Sequence, residues 1–160
     1  MENHVEKLKQ MVGKCRVGML GVRANDGIQF SPMSHVDIDD DGDVWFFTST
    51  QSECALCIKD DPSVQLVYMH EPDHTFVSIS GIARLNKNKS KIRELFNPFL
   101  RAWFPRGLED ASLTLVVVHP LNGGYWVTNP SHELTHHMFL KDESKTPGYR
   151  HREGVKNEAS

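Results

Sequence analysis

Cysteine is scarce in this chain of 160 residues: there are three, an odd number, which excludes a disulfide framework and makes reduced thiols the expectation. No apolar run approaches the ~18 residues that span a bilayer, and the polar opening MENHVEKLKQ lacks the apolar stretch of a signal peptide. A cytoplasmic protein with no membrane partner is therefore expected. An excess of one charge is missing as well, since 18 Lys and Arg face 21 Asp and Glu for a net charge of −3. Without a strong global field, nucleic acid is not an expected partner, although a small-molecule ligand in a local pocket is compatible with this balance. Internal repeats and low-complexity tracts are absent too. What the chain does have is 39% hydrophobic residues, enough for one domain with its own core.

Periodicity divides the chain. Val5, Leu8 and Val12 predict an amphipathic helix over Glu2 to Val12, ended by Gly13. CRVGMLGVRA and IQFSPMSHVD read as strands joined at Asn25-Asp26-Gly27, and the acidic turn Asp39 to Asp43 leads into the strand VWFFTS. Thr50-Gln51-Ser52-Glu53 has the form of a capping box with Thr50 as the cap, predicting a short helix to about Asp60. VQLVYMH and TFVSISGIARL are the next strands, with EPD between them and Gly81 marking a bend or bulge. Ser90 to Trp103 reads as a helix kinked at Asn97-Pro98, with its aromatic stripe turned to the core. LTLVVVHP, a turn at Asn122-Gly123-Gly124, and YWVT complete seven strands. Tight turns between consecutive strands imply an antiparallel sheet, and a closed or partly closed barrel with peripheral helices is the natural solution. Residues 1–128 are expected to form this barrel. Residues 129–160 read as a polar tail, in which a short helix docks on the barrel or on a partner.

Three short motifs suggest chemistry. His132-Glu133-Leu134-Thr135-His136 matches H-E-x-x-H, which on a helix puts two imidazoles on one zinc beside a general-base glutamate. It lies outside the apolar region, and no third ligand is singled out, so a zinc peptidase is the weakest reading. Cys54-Ala55-Leu56-Cys57 has thioredoxin-like spacing but lies among meander hairpins, about four residues into the predicted helix, and is expected to be a structural thiol pair. Asp37 to Gly42 begins like a calcium loop, but its twelfth position is Thr48 rather than Glu, which favours an acidic hairpin turn. No metal site is expected.

Longer segments carry more information. FSPMSHVDIDDDGDVWFFTSTQSECALCIKDDPSVQLVY, FVSISGIARL, FNPFLRAWFPRGLED and LVVVHPLNGGYWV, in this order from Val17 to Val127, cover about seventy per cent of the chain. Together they resemble the general-stress branch of the pyridoxamine 5′-phosphate oxidase-like family. The resemblance implies a mainly β, antiparallel split β-barrel of the FMN-binding type, a homodimer with flavin sites at the subunit interface, and an oxidoreductase role on an unidentified substrate. Matching the family's motifs onto this chain implies cofactor contacts from Ser31, Pro32 and Met33, from Thr48 and Ser49, from Ser52 and Cys54, and from Trp126 approaching across the interface. No catalytic side chain is implied. Ser31 stands where the family has arginine and Cys54 where it has lysine, so two cations beside the FMN phosphate are replaced, with Arg23, Arg84 and His35 as candidate compensators. The alternative is a non-enzymatic dimeric barrel that has lost FMN. The C-terminal substrate motif of the true oxidase is not recognisable.

Overall fold

Hairpins build most of the molecule. In the computed structural model, which describes residues 3–141, β1 (Gly18–Ala24) turns back at Asn25 and Asp26 into β2 (Gly27–Met33), pairing Ala24 with Gly27 and Gly18 with Met33. A longer hairpin joins β5 (Ser63–His70) to β6 (Thr75–Asn86) through the 3-10 turn Glu71–Asp73. β6 alternates buried and half-buried residues from Thr75 to Ala83, as a period-two strand with one face on a core must. β3 (His35–Ile38), β4 (Val44–Ser49), β7 (Leu113–Thr128) and β8 (Leu134–Lys141) complete an eight-stranded sheet.

The strand order is β2, β1, β5, β6, β7, β4, β3, with β8 beside β7. Its two ends, β2 and β3, are joined through Ser34 alone. The sheet must curl until those ends meet, yet among the described residues β2 and β3 share no ladder, so the barrel is split along that seam. β4 is buried on both faces: Val44 and Phe46 join Leu66, Val77, Ile79 and Val116 inside the barrel, whereas Trp45 and Phe47 pack with Leu115, Val117, Ile92 and Leu100. This second core lies under α3 (Lys89–Leu95) and the 3-10 turn Pro98–Ala102. Each such apolar side chain contributes about 1.5–3 kcal/mol on burial. α1 (His4–Gly13) adds Leu8, Met11 and Val12 to the barrel core, and its cap Asn3 accepts from the Val5 N–H at 3.0 Å. No described helix is long and apolar enough to cross a membrane.

Gly81 sits at the expected bulge, where a Cβ would come within 2.5 Å of the His119 carbonyl oxygen. Other expectations are corrected. The helix from Ser90 ends at Leu95; Asn97 then caps a separate turn by accepting from the Phe99 N–H at 3.1 Å, because Pro98 has no N–H with which to continue α3. Phe99 and Trp103 are consequently 86% and 69% exposed rather than in the core. Asn122-Gly123-Gly124 is not a turn but the middle of β7. The glycines serve close approach: a Cβ on Gly123 would come within 2.4 Å of the Phe139 ring, and one on Gly124 within 2.5 Å of the His136 imidazole. Part of the supposed tail is also strand. Asn129 Oδ1 accepts from the Ser131 and Glu133 N–H groups (3.0 and 2.9 Å), turning the chain so that β8 pairs with β7 across residue 128, and no helix forms at Leu134–Lys141. The rest of the expected tail, 142–160, lies outside the described residues.

Candidate functional site

Two hollows lie at the seam, with Met33 and Thr48 lining both. One, of about 260 Å³, has mostly apolar walls from Val17, Pro32, Met33, Phe47, Leu100, Trp103 and Phe104, with Ser34 and Thr48 as its polar edge. The other, of about 280 Å³, is lined by Val22, Gln29, Phe30, Ser31, Met33, Thr48, Ser52, Glu53 and Cys54. Six of the residues singled out in the sequence thus come together: Ser31, Pro32, Met33, Thr48, Ser52 and Cys54. Ser49 lines neither hollow; its hydroxyl accepts from the Gln51 N–H at 3.2 Å and shapes the turn after β4. Trp126 lies toward the other end of β7, opposite Phe76 and stacked on His136 with ring centroids 4.4 Å apart. It lines neither hollow, although the ladder Trp126–Phe76–Met69 leads across the sheet to the level of Val17, a wall of the apolar one, about 15 Å away at ~4.8 Å per strand.

The polar hollow is set by the start of α2 (Glu53–Asp60). Ser52, not Thr50, is the cap: its Oγ accepts from the Ala55 N–H at 3.1 Å and from the Thr48 hydroxyl at 2.9 Å. Thr50 is held before the helix by its N–H, which donates to the Ser112 carbonyl at 2.8 Å. Cys54 therefore lies in the first turn, where the helix dipole favours a thiolate. Burial wins over that field and, with Cys57 nearby, pushes the Cys54 thiol up to about 11, so it is neutral at physiological pH. All three cysteines are free. Glu53, one residue earlier, is exposed, and the Gln29 amide nitrogen donates to both of its oxygens, at 3.0 and 2.7 Å.

The proposed compensating cations point elsewhere. Arg23 Nε lies 3.5 Å from Asp61, and Arg84 lies 3.7 Å from Asp43, whose other oxygen is 2.6 Å from His119 Nδ1. His35 faces the edge of Tyr68 at 6.0 Å, and its Nδ1 is buried without a partner among the described residues, as is the Tyr68 hydroxyl. Burial, opposed by Asp37, lowers the imidazole pKa and favours the neutral ring.

The remaining motifs are absorbed by structure. His132 occupies a left-handed turn (φ 63°) and His136 lies on β8, so the helix that a zinc peptidase needs is not formed. Asp39 spends its carboxylate on its own loop, accepting from the Asp41 and Asp43 N–H groups at 3.0 Å each and from Trp45 Nε1 at 2.9 Å. Sequence reasoning missed Gln29 and Glu53 on the polar side and Trp103 and Phe104 on the apolar side. A charged residue at the start of a helix whose neighbours were already candidates was the one available signal for Glu53.

A split antiparallel barrel with two hollows at its seam defines the class of protein. The chain belongs to the pyridoxamine 5′-phosphate oxidase-like family, whose sequence pattern it matches over residues 3–146. Its fold resembles that of general stress protein 26 from Bacillus anthracis, with 21% identity, 82% of this chain and 96% of the other covered, and a TM-score of 0.67. It is also similar to a general stress FMN/FAD binding protein from Xanthomonas citri, with 26% identity, coverage of 79% and 89%, and a TM-score of 0.67. A 62-residue stretch is 29% identical to protein bli-3 of Neurospora crassa, spanning 39% of this chain and 30% of that protein.

Proposed function

We propose that the chain is a cytoplasmic, dimeric split-barrel protein that binds a flavin-type heterocycle at the β2–β3 seam. The observation that carries this reading is that an apolar hollow with few polar groups and a hydroxyl-lined hollow share Met33 and Thr48 as walls. A flat ring suits the first part, between Pro32, Met33 and the aromatic side chains of Phe47, Trp103 and Phe104. A polyol chain suits the second, beside Ser31, Thr48 and Ser52. The exposed Phe99 and Trp103, with Phe30 at 49% exposure, supply an apolar face for a second copy. Trp126, which lines neither hollow of its own protomer, is proposed to reach those of the partner. The name of the Xanthomonas protein supports a flavin as the ligand class.

The phosphate of FMN fits less well than its ring. No lysine or arginine is among the described residues lining the polar hollow, which holds the neutral Cys54 thiol and the Glu53 carboxylate instead. A hydrogen bond to a charged group contributes about 1.5–3 kcal/mol, so two missing cations weaken FMN by roughly a hundred- to ten-thousand-fold. We therefore assign no reaction step to bound FMN; an oxidoreductase role rests on the redox chemistry that a flavin brings with it. The same observation favours a second reading, a dimeric barrel without cofactor that serves as a binding module. Titrating the purified protein with flavins, followed by quenching of flavin fluorescence, separates the two. Saturable binding supports the flavin slot, and no binding at millimolar flavin to folded protein leaves the second reading.

A further inference from the structure

We infer that the polar hollow selects against a phosphate, so that this protein prefers a flavin whose side chain ends in hydroxyls, of the riboflavin type, over its phosphorylated form. The inference rests on the flavin reading above and deepens it. The hollow's hydroxyls are those of Ser31, Thr48 and Ser52, a neutral mixture of donors and acceptors suited to hydrogen-bonding a polyol. Thr48 donates to Ser52 at 2.9 Å, so Thr48 offers a ligand its lone pairs, and Ser52, which accepts from Thr48 and from the Ala55 N–H, offers its hydrogen. Glu53 stands at the first turn of α2 beside them, and Gln29 holds its carboxylate with two hydrogen bonds. The helix N-terminus, which elsewhere attracts phosphate, here has the protein's own anion next to it.

The surroundings have the same sign. An adjoining hollow shares Glu53 and adds Asp26, Asp60 and Asp61 against a single cation, Arg23, which is paired with Asp61. A phosphate monoester carries close to two negative charges at neutral pH. Coulomb's law at water-like screening makes one carboxylate ~6 Å away weaken its binding about tenfold. Riboflavin loses none of this and keeps the ring and polyol contacts.

The test uses the full chain and two probes, riboflavin and FMN, in parallel fluorescence titrations at low and high salt. The expected result is riboflavin binding at least about tenfold tighter than FMN at low salt. That gap should narrow as salt screens the carboxylate and again in Glu53→Gln, through a rise in FMN affinity. FMN binding as tightly as riboflavin overturns the inference while leaving the flavin slot standing. A gap unchanged by both salt and Glu53→Gln overturns it as well, because the discrimination would then not be electrostatic. Failure of both probes to bind folded protein removes the flavin reading itself, and this inference with it.

Discussion

Replacing Ser52 by alanine tests how the polar hollow is assembled. Ser52 Oγ is the acceptor for the Ala55 N–H and for the Thr48 hydroxyl, so one substitution removes a helix cap and the partner of a buried side chain. Loss of a serine cap costs about 1 kcal/mol. Leaving the Thr48 hydroxyl without its acceptor costs about 1 kcal/mol more, at the lower end of the range because the hollow is open to water. The sum, about 2 kcal/mol, corresponds to a fall in Tm of roughly 4–8 °C for a domain of this size. Glycine at the same position retains most of the capping, so Ser52→Gly should lose only the Thr48 part, about 1 kcal/mol. Thr50→Ala should stay within about 0.5 kcal/mol, since Thr50 contributes its backbone rather than its side chain to the turn. Urea unfolding followed by far-ultraviolet circular dichroism resolves these differences. Equal losses for Ser52→Ala and Thr50→Ala would refute the assignment of the cap.

Other consequences are open to direct measurement. With its thiol pushed up to about 11 by burial, Cys54 should resist alkylation at pH 8, whereas Cys57, only half-buried, should react first; equal labelling in peptide mass mapping would count against the buried geometry. His35 is held below its ordinary pKa by burial, so the unfolded chain takes up a proton near pH ~6.5 before the fold does. Its contribution to stability is therefore complete above that pH and falls as the pH drops toward the folded value. His35→Phe should flatten the decline in urea midpoint between about pH 7 and 5, and an unaltered pH profile would exclude His35 as a cause. Trp103→Arg should convert the proposed dimer to monomer in light scattering, since burying most of a Trp contributes about 3 kcal/mol or more; a wild-type protein that is monomeric at micromolar concentration contradicts the dimer.

The legible parts of the fold were those where one physical cause produces one pattern. Alternation in TFVSISGIARL, the short turn at Asn25 and Asp26, and the bulge at Gly81 all read directly, because a half-buried strand and a tight turn leave few alternatives. The glycines after Asn122 misled because glycine serves both turns and close approach, and only Phe139 and His136 on β8 show which applies. β8 itself was hidden: its His136 and His137 stack on Trp126 and Tyr125, so aromatic-face contacts replace the apolar alternation that marks a strand. Phe99 and Trp103 follow helical spacing, yet Pro98 ends the helix and turns them outward. At the site, the family resemblance pointed to Ser31, Pro32, Met33, Thr48, Ser52 and Cys54, which line the hollows, and to Ser49 and Trp126, which do not. The directions of Arg23, Arg84 and His35 depend on acid partners and burial distant in sequence, so their failure to line the hollow was not readable.

The β2–β3 seam is proposed as a ligand slot for a flat heterocycle. Amide chemical shifts recorded by NMR during a riboflavin titration test it most directly. Shifts that saturate and concentrate on Ser31, Met33, Ser34, Thr48 and Phe104 are predicted. Saturating shifts confined to another surface, such as the hollow beside His119 and Phe139, would contradict it.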